Sequence, residues 1–258
     1  MNKYNMIERK KTKQVMVGNV PIGGGAPVVI QSMTNTDTAD MPATLRQINE
    51  LSEAGCQLVR ITVPDEAAAA VLPKLTAQSP VPLIADIHFD YRLALAAIQA
   101  GIAGLRLNPG NIGDADKVRQ VAREAKAAGV PIRVGVNSGS LSKKMLAQHG
   151  GVVPAALVES ALEEIAQLEA EDFFDIVVSL KASNVPLMLA AYREIAERVD
   201  YPLHIGVTEA GTPKRGSIKS AVGIGALLAE GLGDTLRVSL SGDPVQEIFV
   251  AKEILRSL

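Results

Sequence analysis

Cysteine is almost missing from this chain of 258 residues: Cys56 stands alone. One thiol permits neither an internal disulfide nor a metal site built on several thiolates. Tryptophan is absent and aromatic residues make up only 3% of the sequence, which weighs against a flat ring system held by stacking. Basic and acidic residues nearly balance, 26 Lys and Arg against 28 Asp and Glu, so there is no basic excess of the kind that tracks nucleic-acid phosphates. Apolar runs are broken by Gly, Pro or charge well short of the ~18 residues that span a bilayer. The run MNKYNMIERKKTKQ is polar and lacks the apolar centre of a secretory signal. The expectation is a cytoplasmic protein that binds neither nucleic acid nor membrane.

What the chain does have is a core-forming composition, 47% apolar and 21% charged, arranged in a repeat. Short β-branched runs alternate with Ala/Leu/Glu/Lys stretches of helical period. The runs are VVIQSM from Val28, LVRITV from Leu58, PLIADIH from Pro82, GLRLNP from Gly104, IRVGVNSG from Ile132, DIVVSLKAS from Asp175, PLHIGVTEAG from Pro202 and TLRVSLSG from Thr235. Helices are expected to begin near Pro42, Asp65, Tyr91, Asp114, Val153, Val185, Ser217 and Pro244, several of them opened by Asp, Ser or Pro as helix starts tend to be. Eight strand-then-helix units predict a (β/α)8 barrel, with an open doubly wound sheet as the runner-up. No G-x-G-x-x-G turn follows the first strand, which disfavours the dinucleotide-binding version of that alternative. The segment from Val15 to Pro27 reads as a short N-terminal β-hairpin at the lower end of the barrel. The domain expectation is one unit over residues 1–258, hairpin about 12–27 and barrel about 28–258.

Strand parity divides each run into a lumen-facing and a helix-facing set. In the second run Val59, Ile61 and Val63 should meet helices, which leaves Arg60 and Thr62 inside. The same rule turns Asp86, His88, Arg106, Asn108, Arg133, Asn137, Ser179, Lys181, His204, Thr208, Arg237, Ser239 and Ser241 inward. Barrel interiors usually hold Val, Ile and Leu, and an unpaired buried cation costs several kcal/mol, as an order of magnitude. Five inward cations facing about two carboxylates therefore predict an anionic ligand at the C-terminal mouth. A lone inward Arg is more often a structural ion pair, and Arg237 is expected deep, paired with Asp86. His88 and His204 are evenly poised between core and site. His149, in QHGGVV, reads as surface, and Cys56 as a small buried filler. Asp86 and His88 have a ligand-like spacing, but without a third convergent group no metal site is expected. Guanidinium groups suit phosphate, while amides and hydroxyls suit a polyol. Glu209, just past Thr208, is the carboxylate beside the anion site and the expected acid, base or hydroxyl orienter.

Taken together, QSMTNTDT, VRITVP, ADIHFDYRLA, RLNPGNIG, RVGVNSGSL, SLKAS, HIGVTEAGT and RVSLSGDP resemble the 4-hydroxy-3-methylbut-2-enyl diphosphate synthases of the non-mevalonate isoprenoid pathway, in order and spacing from about Val15 onward. The resemblance implies a barrel that binds 2-C-methyl-D-erythritol 2,4-cyclodiphosphate and a smaller domain carrying a 4Fe-4S cluster on three cysteines and a glutamate. It implies two electrons from flavodoxin or ferredoxin, and a head-to-tail homodimer. By motif match, Arg60, Arg106, Arg133 and Lys181 would hold the diphosphate with Asn108, Asn137 and Ser239, and Glu209 would meet a substrate hydroxyl. His88, His204 and Thr208 complete the expected substrate-binding set. With only Cys56 available, the cluster is expected outside this chain, which alone should bind substrate without turning it over. The alternatives are an anion-binding barrel without catalysis and a barrel enzyme like dihydropteroate synthase.

Overall fold

The computed structural model describes residues 7–108 and 111–258. The first six residues of the polar N-terminal run, and Pro109 and Gly110 of the RLNPGNIG motif, lie outside it. An antiparallel hairpin of β1 (Val15–Val17) and β2 (Val20–Ile22) comes first. Eight parallel strands follow: β3 (Val29–Met33), β4 (Leu58–Thr62), β5 (Leu83–Asp86), β6 (Gly104–Leu107), β7 (Ile132–Asn137), β8 (Ile176–Lys181), β9 (His204–Ile205) and β10 (Thr235–Leu236). Their order is β8-β7-β6-β5-β4-β3-β10-β9, and a bridge between Val178 and Leu203 brings β8 back beside β9. The sheet thus curls into the expected barrel.

The outer ring is α1 (Met41–Glu53), α2 (Glu66–Gln78), α3 (Tyr91–Gln99), α4 (Ala115–Ala128), α5 (Lys143–His149), α6 (Pro154–Glu169), α7 (Val185–Arg198), α8 (Pro213–Ala229) and α9 (Val245–Arg256). The Asp signals work as caps: Asp40, Asp65, Asp90 and Asp114 each accept a hydrogen bond from an amide in the first turn, satisfying donors that the helix leaves free. The helix ring differs from the sequence reading in one start and one added helix, and β9 and β10 are shorter than the runs that hold them. α8 starts four residues before Ser217, at Pro213, whose fixed φ suits a first helical turn. α5 was not expected. It is capped by Ser142 and ended by left-handed Gly150, and it carries His149 to within 3.0 Å of Glu159 Oε2 with its side chain 14% exposed. His149 is therefore a half-buried helix-end residue rather than a surface one.

Parity holds along the wall. Val59, Ile61 and Val63 are buried against Ile48, Leu72 and their neighbours between strands and helices. A separate cluster of Val17, Ile22, Val29, Leu58 and Ile84 closes the lower end, where the hairpin lies across the strand starts. Polar side chains are displaced towards the other end.

Candidate functional site

Strand ends build the mouth. β4 supplies Arg60; β5 supplies Asp86, with His88 just beyond; β6 supplies Arg106, β7 Asn137, and β8 Ser179 and Lys181. Val207 and Thr208 follow β9, Arg237 and Ser239 follow β10, and together these residues line one cavity of about 120 Å³. Seven of the expected ligand-binding residues thus meet in one place: Arg60, His88, Arg106, Asn137, Lys181, Thr208 and Ser239.

Asp86 is the electrostatic centre of this wall. It lies 3.6 Å from Arg60 Nε, 3.2 Å from Arg106 Nη1 and 3.8 Å from His88 Nε2. Burial alone would raise its pKa, but Arg60 and Arg106, helped by His88 and Arg133, hold the carboxyl below its ordinary value. Arg237 was expected on Asp86 and is not there. It makes two 3.2 Å contacts with Glu247, which α9 sends in from outside the barrel. Glu247 also accepts from Ser32 Oγ at 2.7 Å and from the Leu240 amide at 3.1 Å. Parity gave the direction of Arg237 but not its partner, because a helix carboxylate reaches it first.

Two glycines, Gly135 within β7 and Gly206 just past β9, stand close to the cations. A Cβ on Gly135 would stand 2.7 Å from Arg106 Nε, and one on Gly206 would stand 2.5 Å from the Arg237 carbonyl oxygen and 3.3 Å from Lys181 Nζ. At Gly135 the Arg106 head occupies the space a side chain would fill, whereas at Gly206 it is the Arg237 backbone that bars one, with Lys181 close by.

Lys181 is 8% exposed and His204 wholly buried. Nζ of the lysine is 3.0 Å from Nε2 of the histidine, whose Nδ1 lies 3.4 Å from Thr235 Oγ1. Burial pushes the lysine ammonium well below its usual pKa, reinforced by Arg133, Arg60, Arg237 and Arg106. Burial likewise keeps His204 neutral, with Lys181 adding to the effect. His204 therefore sits behind Lys181 and does not reach the cavity.

Three other expected residues stand apart from the cavity. Arg133 lies a layer lower and lines a small void near the hairpin with Gln31 and Thr235; none of its guanidinium nitrogens has a hydrogen-bond partner among the described residues. Asn108 is 8% exposed and turns to Glu164 of α6. Glu209 is exposed, on the rim next to Thr208, with a φ of 49°. That left-handed conformation costs a non-glycine residue of order 1 kcal/mol.

Three residues near the mouth were not expected: Glu164, Glu247 and Met33. Glu164 is 5% exposed and has one oxygen without a partner among the described residues; burial pushes its pKa up to about 8 against the pull of Arg106 and Asn108. The signal was present in helical period, since each glutamate interrupts an apolar stripe, Leu157, Ala161 and Leu168 in one case and Ile248, Ala251 and Ile254 in the other. Met33 Sδ receives Arg60 at 3.1 and 2.8 Å and Arg237 at 3.6 Å, which no strand pattern announces.

The iron–sulfur cluster does not fit this chain. Cys56 is buried, its thiol donates to the Leu58 carbonyl at 3.1 Å, and burial pushes its pKa up to about 12. Among the described residues no three His, Cys, Asp or Glu side chains converge as a metal site, and no helix is long and apolar enough to cross a membrane.

The GcpE TIM-barrel domain model matches residues 12–252. This chain belongs to that family. It is 59% identical over 253 residues to a 4-hydroxy-3-methylbut-2-en-1-yl diphosphate synthase (flavodoxin) of Maridesulfovibrio salexigens, covering 98% of this chain and 71% of the relative. It is also 59% identical over 250 residues to the protein of that name from Geobacter sulfurreducens, covering 97% and 71%. Among solved structures, a Yersinia pestis dihydropteroate synthase superposes with a TM-score of 0.65 at 12% identity, over 95% of this chain and 98% of the other. A phospho-2-dehydro-3-deoxyheptonate aldolase of Thermotoga maritima superposes at 0.60 and 11% identity, over 100% and 76%. At those identities the likeness is one of fold. The GcpE match therefore rests on sequence, and the dihydropteroate synthases share only the barrel.

Proposed function

We propose that this chain is the substrate-holding barrel of a 4-hydroxy-3-methylbut-2-enyl diphosphate synthase and that its mouth binds 2-C-methyl-D-erythritol 2,4-cyclodiphosphate. One observation carries the reading. Arg60, Arg106, Lys181 and Arg237 surround one cavity with Arg133 below, and the carboxylates that touch them among the described residues are Asp86 and Glu247. A cyclic diphosphate brings the missing negative charge into a partly desolvated space, where charge-assisted hydrogen bonds are strongest.

In this reading Arg60, Arg106 and Lys181 grip the diphosphate, while Asn137, Thr208 and Ser239 take its ester oxygens and hydroxyls. His88 stands at the rim. Arg133 and His204 act from beneath, the first through its field and the second by fixing Lys181; Asn108 holds the rim of β6 against Glu164. Glu209 accepts a hydrogen bond from a substrate hydroxyl and relays a proton to the departing water, which makes it the catalytic carboxylate. Residues 1–258 act as one unit, hairpin and barrel together. The 4Fe-4S cluster, and the two electrons from flavodoxin or ferredoxin, belong to a further domain outside this sequence. In the head-to-tail homodimer of the complete cytoplasmic enzyme, that domain of one subunit faces the mouth of the other. The barrel alone binds the substrate and does not turn it over.

Isothermal titration of the cyclic diphosphate into this chain tests the reading. Saturable binding that weakens in Arg106→Ala is expected, with no product after incubation with iron, sulfide and reductant. Absence of binding, or product from this chain alone, would overturn it.

A further inference from the structure

We propose that Lys181 is a carbonyl-reactive amine, and that the mouth captures small phosphorylated aldehydes or ketones as an imine on its Nζ. The residue ends β8 in the cavity wall, so the amine is buried yet reachable from the mouth. On one side β7 presents Arg133 and Asn137; on the other β9 presents His204, with Gly206 just beyond; Arg60, Arg106 and Arg237 complete the ring. Among the described residues no carboxylate lies within salt-bridge distance of Nζ. A lysine among cations and without an anion is held as the free amine, the nucleophilic form. The depressed basicity noted above agrees with that charge geometry. His204 Nε2, 3.0 Å away, accepts a hydrogen bond from the amine and so fixes the direction of its lone pair. The same guanidinium groups that surround the amine fix the class of carbonyl compound, because they select one that carries phosphate.

The step needs no oxidant or reductant. The Nζ lone pair forms a bond to the carbonyl carbon, and the carbonyl π electrons move to oxygen, which takes up the proton that the nitrogen loses. The resulting carbinolamine expels its hydroxyl with the second nitrogen proton as water, and the C=N bond forms. Amine and aldehyde give imine and water. The phosphate contribution rests on the anion site proposed above; the amine chemistry rests on Lys181 itself.

The probe is glycolaldehyde phosphate with cyanoborohydride near neutral pH, applied to the native chain and read by peptide mass mapping. The adduct is expected on Lys181 at least roughly tenfold faster than on exposed Lys144, because the phosphate group is held beside the buried amine. Inorganic pyrophosphate should block it, and unphosphorylated glycolaldehyde should label more slowly. Labelling of Lys181 no faster than Lys144 overturns the proposal, and because mapping is done on the native chain no variant has to fold. Lys181→Arg should remove the fast adduct; its persistence elsewhere in the cavity would also overturn the assignment. If pyrophosphate binds calorimetrically while Lys181 stays unlabelled, this inference fails and the diphosphate reading stands. Fast labelling that pyrophosphate neither blocks nor slows supports the amine and removes the diphosphate reading.

Discussion

The two ends of the barrel treat charge in opposite ways. At the base, Asp234 accepts from Arg9 Nη2 at 3.0 Å, Thr12 Oγ1 at 3.1 Å and the Leu203 amide at 2.9 Å, so one carboxylate ties the N-terminal segment to the start of β9. At the mouth, Asp86 is shared among Arg60, Arg106 and His88, and cations outnumber the carboxylates that touch them. At the base Arg9 closes the pair with Asp234, which gains closure for the N-terminal segment. The mouth leaves its cations short of anions and gains a capacity to bind. Stability and ligand affinity are therefore built at different ends of the same strands, the division that (β/α)8 barrels show generally.

The sharpest way to break this contrast is to remove one charge from each end. Asp234→Ala should lower stability by about 1–3 kcal/mol, because it leaves the buried Leu203 amide and Thr12 Oγ1 without their acceptor, while Arg9 keeps the Ala26 and Gly233 carbonyls. Arg106→Ala and Lys181→Ala should change stability less, since Arg60 still serves Asp86 and Lys181 has no carboxylate partner among the described residues, while costing about 1.5–3 kcal/mol of diphosphate affinity. Arg237→Ala should destabilise more than these two, because it leaves Glu247 buried with only Ser32 and the Leu240 amide. Urea unfolding without ligand, beside calorimetric titration, measures both effects. Equal stability losses at the two ends would dissolve the comparison.

A second prediction concerns pH and Glu164. Its folded pKa of about 8 lies above the ordinary 4.5, so the folded protein holds a proton that the unfolded chain releases. Stability is then greatest below the unfolded value and falls as pH rises from about 4.5 to 8. Glu164→Gln keeps the shape without the titration. Its unfolding free energy should match that of the native protein near pH 4.5 and exceed it near pH 8, the gap opening by at most about 1.4 kcal/mol per pH unit. Parallel curves across that range would show that Glu164 is already ionised.

The smallest effect is at the rim. Glu209 holds a φ of 49°, so Glu209→Gly should stabilise the barrel by up to about 1 kcal/mol in thermal unfolding. Glu209→Gln keeps the strain and should leave stability unchanged. In the complete enzyme the Gln variant should lower kcat far more than it weakens substrate binding. A stability gain in the Gln variant, or near-normal kcat with the cluster content verified, would contradict the assignment.

These residues also show how far the sequence could be read. Strands and helices were legible because barrel strands alternate with capped helices, and an inward Arg60 between outward Val59 and Ile61 stands out against an apolar background. Depth was not legible. Arg133 and Asn137 share a face of β7, yet Asn137 lines the cavity and Arg133 lines the void beneath, because a six-residue strand passes through more than one layer. Partners contributed by helices were hidden too. Glu247 and Glu164 enter from α9 and α6, and the distances that bring them to Arg237 and Asn108 are set by packing, not by spacing along the chain. α5 was missed because seven residues give too little periodicity to separate a helix from a loop.

The hairpin across the base has a consequence for traffic. With Val17 and Ile22 set against Leu58 and Ile84, the lumen is closed at its lower end among the described residues. Whatever enters by the mouth leaves by the mouth, so a fresh molecule waits until the previous one has gone. A covering placed over that single doorway regulates arrival and departure together, and its lifting sets the rhythm at which the barrel can be refilled.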